Sequence, residues 1–294
     1  MMDIEYRVVD VFTQTPLEGN PLAVFPDASK LPEELLQKIA RELNLSETAF
    51  VLAPTRQDCA ARVRIFTPAY EMRFAGHPTI GTAYVLLETG LVPRDARSFA
   101  LEEIVGPVNV RVDGDRDPLL WLQTPPIKKE GAQDPALCAA ALHLEKADLL
   151  ADIPCRIYSA GNPNLYVAVR DSAAVDRAAV EMSALAELRS SDGPVCMYVF
   201  APLEHGAYSR MFAPELGVVE DPATGSAAGP LAAFMMDNGL RAGRSGERFT
   251  IEQGTKMGRR SILHVLVHGE NGSEGIEIGG HVAPLTRATM TLAQ

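Results

Sequence analysis

Three segments hold residue types that could move a proton or grip an anion. The first is Asn44-Leu45-Ser46-Glu47-Thr48-Ala49-Phe50, in which Glu47 stands among Leu45, Ala49, Phe50 and Val51. A carboxyl among apolar neighbours rises in pKa and can exchange protons near neutral pH, as a general acid or base does. A solvated turn glutamate is the plain alternative. The second is Arg73-Phe74-Ala75-Gly76-His77-Pro78-Thr79-Ile80-Gly81. Here a helix start would aim backbone N–H groups at a carboxylate or phosphate, with His77 as the titratable group on the rim and Thr79 or His77 as a cap. The third is Glu220-Asp221-Pro222-Ala223-Thr224-Gly225-Ser226-Ala227-Ala228-Gly229. Asp221 could cap the helix or act as acid–base, and Thr224, Gly225 and Ser226 offer donors. Read singly, the second and third segments are capping motifs. Read together, two helix N-termini facing one cleft could hold a small carboxylate and stabilise charge that develops during proton abstraction.

Other chemistries lack support. His264 and His268 are four apart, but they sit in a run that reads as a strand, and no H-E-x-x-H is present, so no metal site is expected. There is no P-loop, no G-x-S-x-G and no G-x-G-x-x-G after a strand, which argues against a nucleotide fold or a hydrolase nucleophile. Cys59, Cys138, Cys155 and Cys196 lie far apart without zinc spacing and read as reduced, buried thiols of a cytosolic protein. Trp121 is most simply core.

The elements that must position these segments come in two similar sets. Gly19-Asn20-Pro21 and Gly161-Asn162-Pro163 each precede a β-prone run, 142 residues apart; Phe66-Thr67-Pro68 and Phe212-Ala213-Pro214 are 146 apart. Two matches at nearly one offset suggest a duplicated unit. In the first half, residues 6–12, 50–53 and 61–66 read as strands, 32–43 as an amphipathic helix, and 79–89 as a buried helix ended by Gly90. In the second, 165–169, 195–201, 249–252, 261–267 and 275–278 read as strands, and 224–237 as a buried helix closed by Asn238-Gly239. Pro125-Pro126 followed by Lys128-Lys129-Glu130-Gly131 is the linker candidate. The expected architecture is α+β, with domains 1–127 and 128–294, the last strand returning to the first domain as the alternative, and the site at their seam.

A chain of 294 residues suits two domains, and 47% hydrophobic with 22% charged residues is ordinary globular usage. The net charge of −11 argues against a nucleic-acid or anionic-membrane coat. The first residues carry acids and no long apolar run, so neither signal peptide nor membrane span is expected.

The chain resembles the phenazine-biosynthesis-like isomerase family (the PhzF-like proteins), which share the diaminopimelate-epimerase fold. Val9-Asp10-Val11-Phe12, Gly19-Asn20-Pro21-Leu22-Ala23-Val24, Ser46-Glu47-Thr48-Ala49-Phe50, Phe66-Thr67-Pro68, Gly76-His77-Pro78-Thr79, Gly161-Asn162-Pro163 and Asp221-Pro222-Ala223-Thr224-Gly225-Ser226-Ala227 carry the resemblance. It implies two pseudo-symmetric diaminopimelate-epimerase-like domains, each a sheet wrapped round a central helix, a cytoplasmic homodimer and chemistry without a cofactor. In the best understood relative, a glutamate shuttles a proton within trans-2,3-dihydro-3-hydroxyanthranilate. Glu47 falls on that motif and takes the acid/base role. His77 and Asp221 would flank the substrate. Ser226 and the N–H groups near Gly76 and Gly225 would bind its carboxylate, with Thr79 and Thr224 in the same two loops. Epimerases of this fold use opposed cysteines in those loops, and none stands there in this chain. The expectation is an isomerase acting on a small carboxylate. The alternatives are an epimerase using Glu47 with Asp221 or His77, and a non-catalytic binding protein.

Overall fold

The computed structural model describes residues 1–292. Two compact units form, one from Met1–Gln123 with the segment from Gly279 onward, the other from Thr124–Ile278. The sequence places its division four residues later, at 127/128.

In the first unit β1 (Met2–Val11) runs antiparallel to both β2 (Asn20–Phe25) and the C-terminal strand Val282–Leu292. After α1 (Glu33–Leu43), β3 (Glu47–Leu52) lies parallel to β2. β4 (Ala61–Phe66) returns antiparallel, with the short β5 (Glu71–Met72) beside it. The buried helix α2 (Gly76–Thr89) leads to β6 (Ser98–Glu103), parallel to β4. β7 (Gly106–Asp113) and β8 (Leu119–Gln123) follow as antiparallel neighbours.

The second unit opens with β9 (Lys128–Gln133), α3 (Pro135–Ala141) and β10 (Cys155–Ser159), which pairs with β9. β11 (Pro163–Ala168), α4 (Ser172–Arg177) and α5 (Met182–Leu185) precede β12 (Cys196–Leu203), which is parallel to β11. β13 (Gly206–Ala213) returns, β14 (Val218–Asp221) joins it, and α6 (Gly225–Asp237) leads to β15 (Arg248–Gln253), parallel to β13. β16 (Ser261–His268) and β17 (Gly275–Gly280) follow. Parallel, antiparallel, hairpin, buried helix and parallel again: the order of the first unit recurs, as the repeated motifs predict.

One repeated contact shows how closely. Arg64 on β4 grips Glu71 on β5 (2.6 Å) and lies 5.2 Å over the Phe66 ring. Arg210 on β13 grips Glu220 on β14 (2.8 Å) and lies 4.7 Å over Phe212.

Alternation along the strands gives each sheet two faces. On one face of the second unit, Leu165, Val167, Met197 and Val199 join the core beside Cys138, Val175 and Leu185 from α3 to α5. On the other face, Tyr166 and Phe200 meet Phe234 of α6, and the Tyr166 hydroxyl donates to Ala227 O (2.8 Å). In the first unit, Phe25, Phe50 and Phe66 pack with Leu36 and Ile39 of α1. A Cβ on Gly81 of α2 would come 2.6 Å from Leu22 Cδ2, so α2 needs glycine to sit this near the sheet.

Local details depart from the sequence reading. α2 starts at Gly76, three residues early, because Pro78 fits a first turn whose N–H groups have no intrahelical acceptor. Its N-cap is Ala75 and that of α6 is Thr224, and neither makes a side-chain cap bond. So His77, Thr79 and Asp221 are not caps. Lys128-Lys129-Glu130-Gly131 belongs to β9 and pairs with β10 instead of linking domains.

Candidate active site

Three elements of the first unit meet at one carboxylate. Glu47 opens β3, opposite Leu22 of the parallel β2. Asn20, fully buried, opens β2, and His77 is the second residue of α2. His77 Nε2 stands 3.1 Å from Glu47 Oε2, with side-chain exposures of 6% and 15%. On the other side of the ring, the Asn20 amide nitrogen lies 3.4 Å from Nδ1. That amide nitrogen can only donate, so Nδ1 accepts and Nε2 carries the ring hydrogen. Nε2 lies close to Glu47 Oε2 but makes no hydrogen bond among the described residues. Burial lowers the His77 pKa to about 3, which keeps the imidazole neutral. The arrangement sets a neutral imidazole beside a carboxylate. It supplies no second base in the form of His77.

Gly76 opens the same helical turn and is buried. Thr79 is wholly buried, and its hydroxyl is 2.7 Å from Ala75 O and 2.6 Å from Glu103 Oε1.

The corresponding loop of the second unit is held by a chain of polar groups. The Thr224 hydroxyl donates to Asp221 Oδ2 (2.5 Å). Gln253, fully buried at the end of β15, donates through Nε2 to Thr224 Oγ1 (3.0 Å) and to Asp221 O (2.7 Å). Its Oε1 accepts from Thr224 N (3.3 Å) and from the Tyr198 hydroxyl (2.9 Å). Gly225 and Ser226 begin α6 and are half-buried. The structure thus brings Glu47 to His77, and Asp221 to Thr224, each pair within its own unit.

Sequence reasoning did not name Asn20, Glu103 or Gln253 as site residues. Asn20 lay in a quoted turn motif. Glu103 carried a weak signal: it shares a strand face with buried Leu101, two residues back, where a solvated glutamate would not belong.

The remaining candidates lie apart from this chemistry. All four cysteines are free and buried. Cys196 begins β12, and burial, with Asp221 and Glu215 nearby, pushes its thiol up to about 12. Trp121 is core, with the Arg111 guanidinium 5.1 Å over its ring. His268 is 3.0 Å from Glu277. Among the described residues, no three His, Cys, Asp or Glu side chains group as a metal site requires. No helix among them is long and apolar enough to cross a membrane.

Residues 9–288 match the family described as phenazine biosynthesis-like protein. The trans-2,3-dihydro-3-hydroxyanthranilate isomerase of Pseudomonas aeruginosa is 38% identical over 291 residues, which cover 95% of this chain and 96% of the relative. The crystal structure of a Bacillus anthracis phenazine biosynthesis protein of the PhzF family aligns over 99% of this chain and 100% of its own, with a TM-score of 0.89 at 26% identity. A hydroxyproline epimerase of Agrobacterium vitis shares the fold, with a TM-score of 0.64 at 14% identity over 97% and 92% of the two chains. The fold is therefore the two-domain, epimerase-like one, and the class of enzyme is an isomerase. The chain belongs to the phenazine biosynthesis-like family.

Proposed function

We propose that this isomerase moves a proton within a small cyclic carboxylate of the trans-2,3-dihydro-3-hydroxyanthranilate type, with Glu47 as general acid/base. The observation that carries the proposal is the Glu47–His77 pair: a carboxylate with one oxygen 3.1 Å from a buried, neutral imidazole. The His77 ring stands beside Oε2, and the Glu47 carboxylate meets the substrate. Glu47 takes a proton from one ring carbon and returns it to another, so its own protonation state is restored in each turnover and no cofactor is needed. His77 and Asp221 complete the catalytic set. The starts of α2 and α6 lack side-chain caps, which supports a role for the backbone at Gly76 and Gly225, with the Ser226 hydroxyl, in holding the carboxylate. The hydroxyls of Thr79 and Thr224 are engaged within the protein, so these residues serve binding by shaping the two loops.

The activity for which the Pseudomonas aeruginosa relative is named supports the substrate class. The family resemblance supports a homodimer, for which sedimentation equilibrium should give twice 31.7 kDa. Four free, buried cysteines accord with a cytoplasmic location.

The test is solvent-deuterium incorporation followed by NMR. With trans-2,3-dihydro-3-hydroxyanthranilate in deuterated buffer, the wild type should place deuterium at a new carbon, and Glu47→Gln should not. Activity of Glu47→Gln near wild type would remove Glu47 from the mechanism. Deuterium at the original stereocentre with inversion would replace isomerisation by epimerisation.

A further inference from the structure

One buried acid has no part in the chemistry above. Glu103 ends β6 and is 5% exposed. Its Oε1 lies 2.6 Å from Thr79 Oγ1, which also lies 2.7 Å from the carbonyl oxygen of Ala75, the N-cap of α2. A hydroxyl has one hydrogen, and a backbone carbonyl can only accept. Both contacts are hydrogen bonds at once only if the Glu103 carboxyl brings its own hydrogen to Thr79 Oγ1 while Thr79 donates to Ala75 O. The other oxygen, Oε2, is buried with no hydrogen-bond partner among the described residues, which suits the carbonyl oxygen of an acid and not a charged carboxylate.

The second unit repeats this construction with an amide. Gln253 ends β15, the counterpart of β6. Its Nε2 donates to Thr224 Oγ1, and Thr224 donates onward to Asp221. Thr79 is the fourth residue of α2 and Thr224 the N-cap of α6, so both threonines stand at the start of their helix. Thus in both units a threonine at the start of the helix pairs with the last residue of a strand.

We propose that Glu103 is held protonated as the counterpart of Gln253, and that through Thr79 it positions the first turn of α2 and hence His77 against Glu47. Its positioning role rests on the assignment of Glu47 and His77 above; its protonation does not. Burial raises the carboxyl to about 8, opposed by the Thr79 hydroxyl. The groups around it add no counter-charge. Glu102, its neighbour on β6, turns to Thr55 and Arg56, and Arg62 of β4 stands opposite Glu102. β7 sets Gly106 across from Glu103, and the turn of α2 that carries Thr79 carries neutral His77.

Isotope-edited infrared spectroscopy of the whole protein decides the protonation. At neutral pH the wild type should show a protonated-carboxyl stretch that Glu103→Gln lacks; no such band in the wild type overturns the proposal. Kinetics decide the positioning. Glu103→Gln, which keeps a donor, should retain kcat/KM within about twofold, whereas Glu103→Leu should lose about tenfold. Wild-type kcat/KM should fall as pH rises past about 8, where Glu103 ionises, and Glu103→Gln should flatten that limb. Equal losses in both variants, or an unchanged limb, would overturn the positioning role. If the wild type proves inactive on this substrate, the proposed function fails and the infrared band still judges Glu103. The His77 Nε2–H resonance then judges positioning: it should shift in Glu103→Leu and stay in Glu103→Gln.

Discussion

The two units use one chain path to hold different groups. Where β2 and β3 run parallel, Glu47 opens β3 opposite Leu22; where β11 and β12 run parallel, Cys196 opens β12 opposite Asn164. The first position is a carboxylate beside a neutral imidazole, and the second is a thiol kept protonated by burial. At the helix starts, the first unit sets Gly76 and His77 where the second sets Gly225 and Ser226, with Asp221 ahead of the helix at the end of β14. The supports changed less than the groups they support: an arginine–glutamate pair over a phenylalanine, and a threonine backed by the end of a strand, occur in both. A fold of this kind fixes positions, and the side chains placed there decide the reaction. One carboxylate without a matching thiolate fits a proton moved between carbons. A stereocentre inverted by two bases would need a partner for Glu47, and the neutral ring of His77 does not supply it.

The comparison breaks most sharply at Glu47. Glu47→Gln should lower kcat by about 10²–10⁴, the usual contribution of a general acid/base, with an unchanged circular dichroism spectrum. Next come the two arginine pairs. Arg210 also donates to the carbonyls of Val175, Asp176 and Ala178, so Arg210→Met should cost about 3–5 kcal/mol in chemical denaturation. Arg64→Met, whose partners Glu71 and Glu33 are more exposed, should cost about 1–2 kcal/mol. Equal losses would mean that the added carbonyl bonds contribute nothing.

A smaller effect concerns pH. The His77 pKa is depressed from 6.5 to about 3, so between these values the unfolded chain binds a proton that the native protein does not. Stability contributed by the neutral ring is therefore complete above about pH 6.5 and is lost as pH falls toward 3. The slope is at most about 1.4 kcal/mol per pH unit. His77→Asn should remove that slope in denaturation measured across the acid range. The smallest effect belongs to Cys196. Cys196→Ala should leave kcat/KM within about twofold of wild type, as a buried thiol serving only as a small apolar group would. A loss as large as that of Glu47→Gln would give Cys196 a chemical role that its buried, protonated thiol does not suggest.

Much of this was legible before any coordinates. Periodicity marks α1, because Leu36, Ile39 and Ala40 share one buried face, and the repeated Gly-Asn-Pro and Phe-x-Pro strings mark the duplication. Glu47, His77 and Asp221 stand out because a charged or titratable residue interrupts an apolar or glycine-rich stretch. Residues 128–131 did not declare themselves: two lysines, a glutamate and a glycine have the composition of a linker, and β10 makes them a strand. The start of α2 was also misplaced, since Pro78 at the third helical position looks like a helix boundary in sequence and costs nothing there in structure.

Local pattern therefore determined the elements, their repetition and the residue types available for chemistry, because each of these depends on neighbours within a few positions. Only the tertiary structure decided that Asn20, Glu47 and His77 meet, with the imidazole neutral and its Nε2 3.1 Å from the carboxylate. It alone decided that Glu103 stands behind Thr79 inside α2 and Gln253 behind Thr224 at the N-cap of α6, 24 and 29 residues away. Proton positions depend on burial and on partners brought from distant strands, and no short window of sequence contains either.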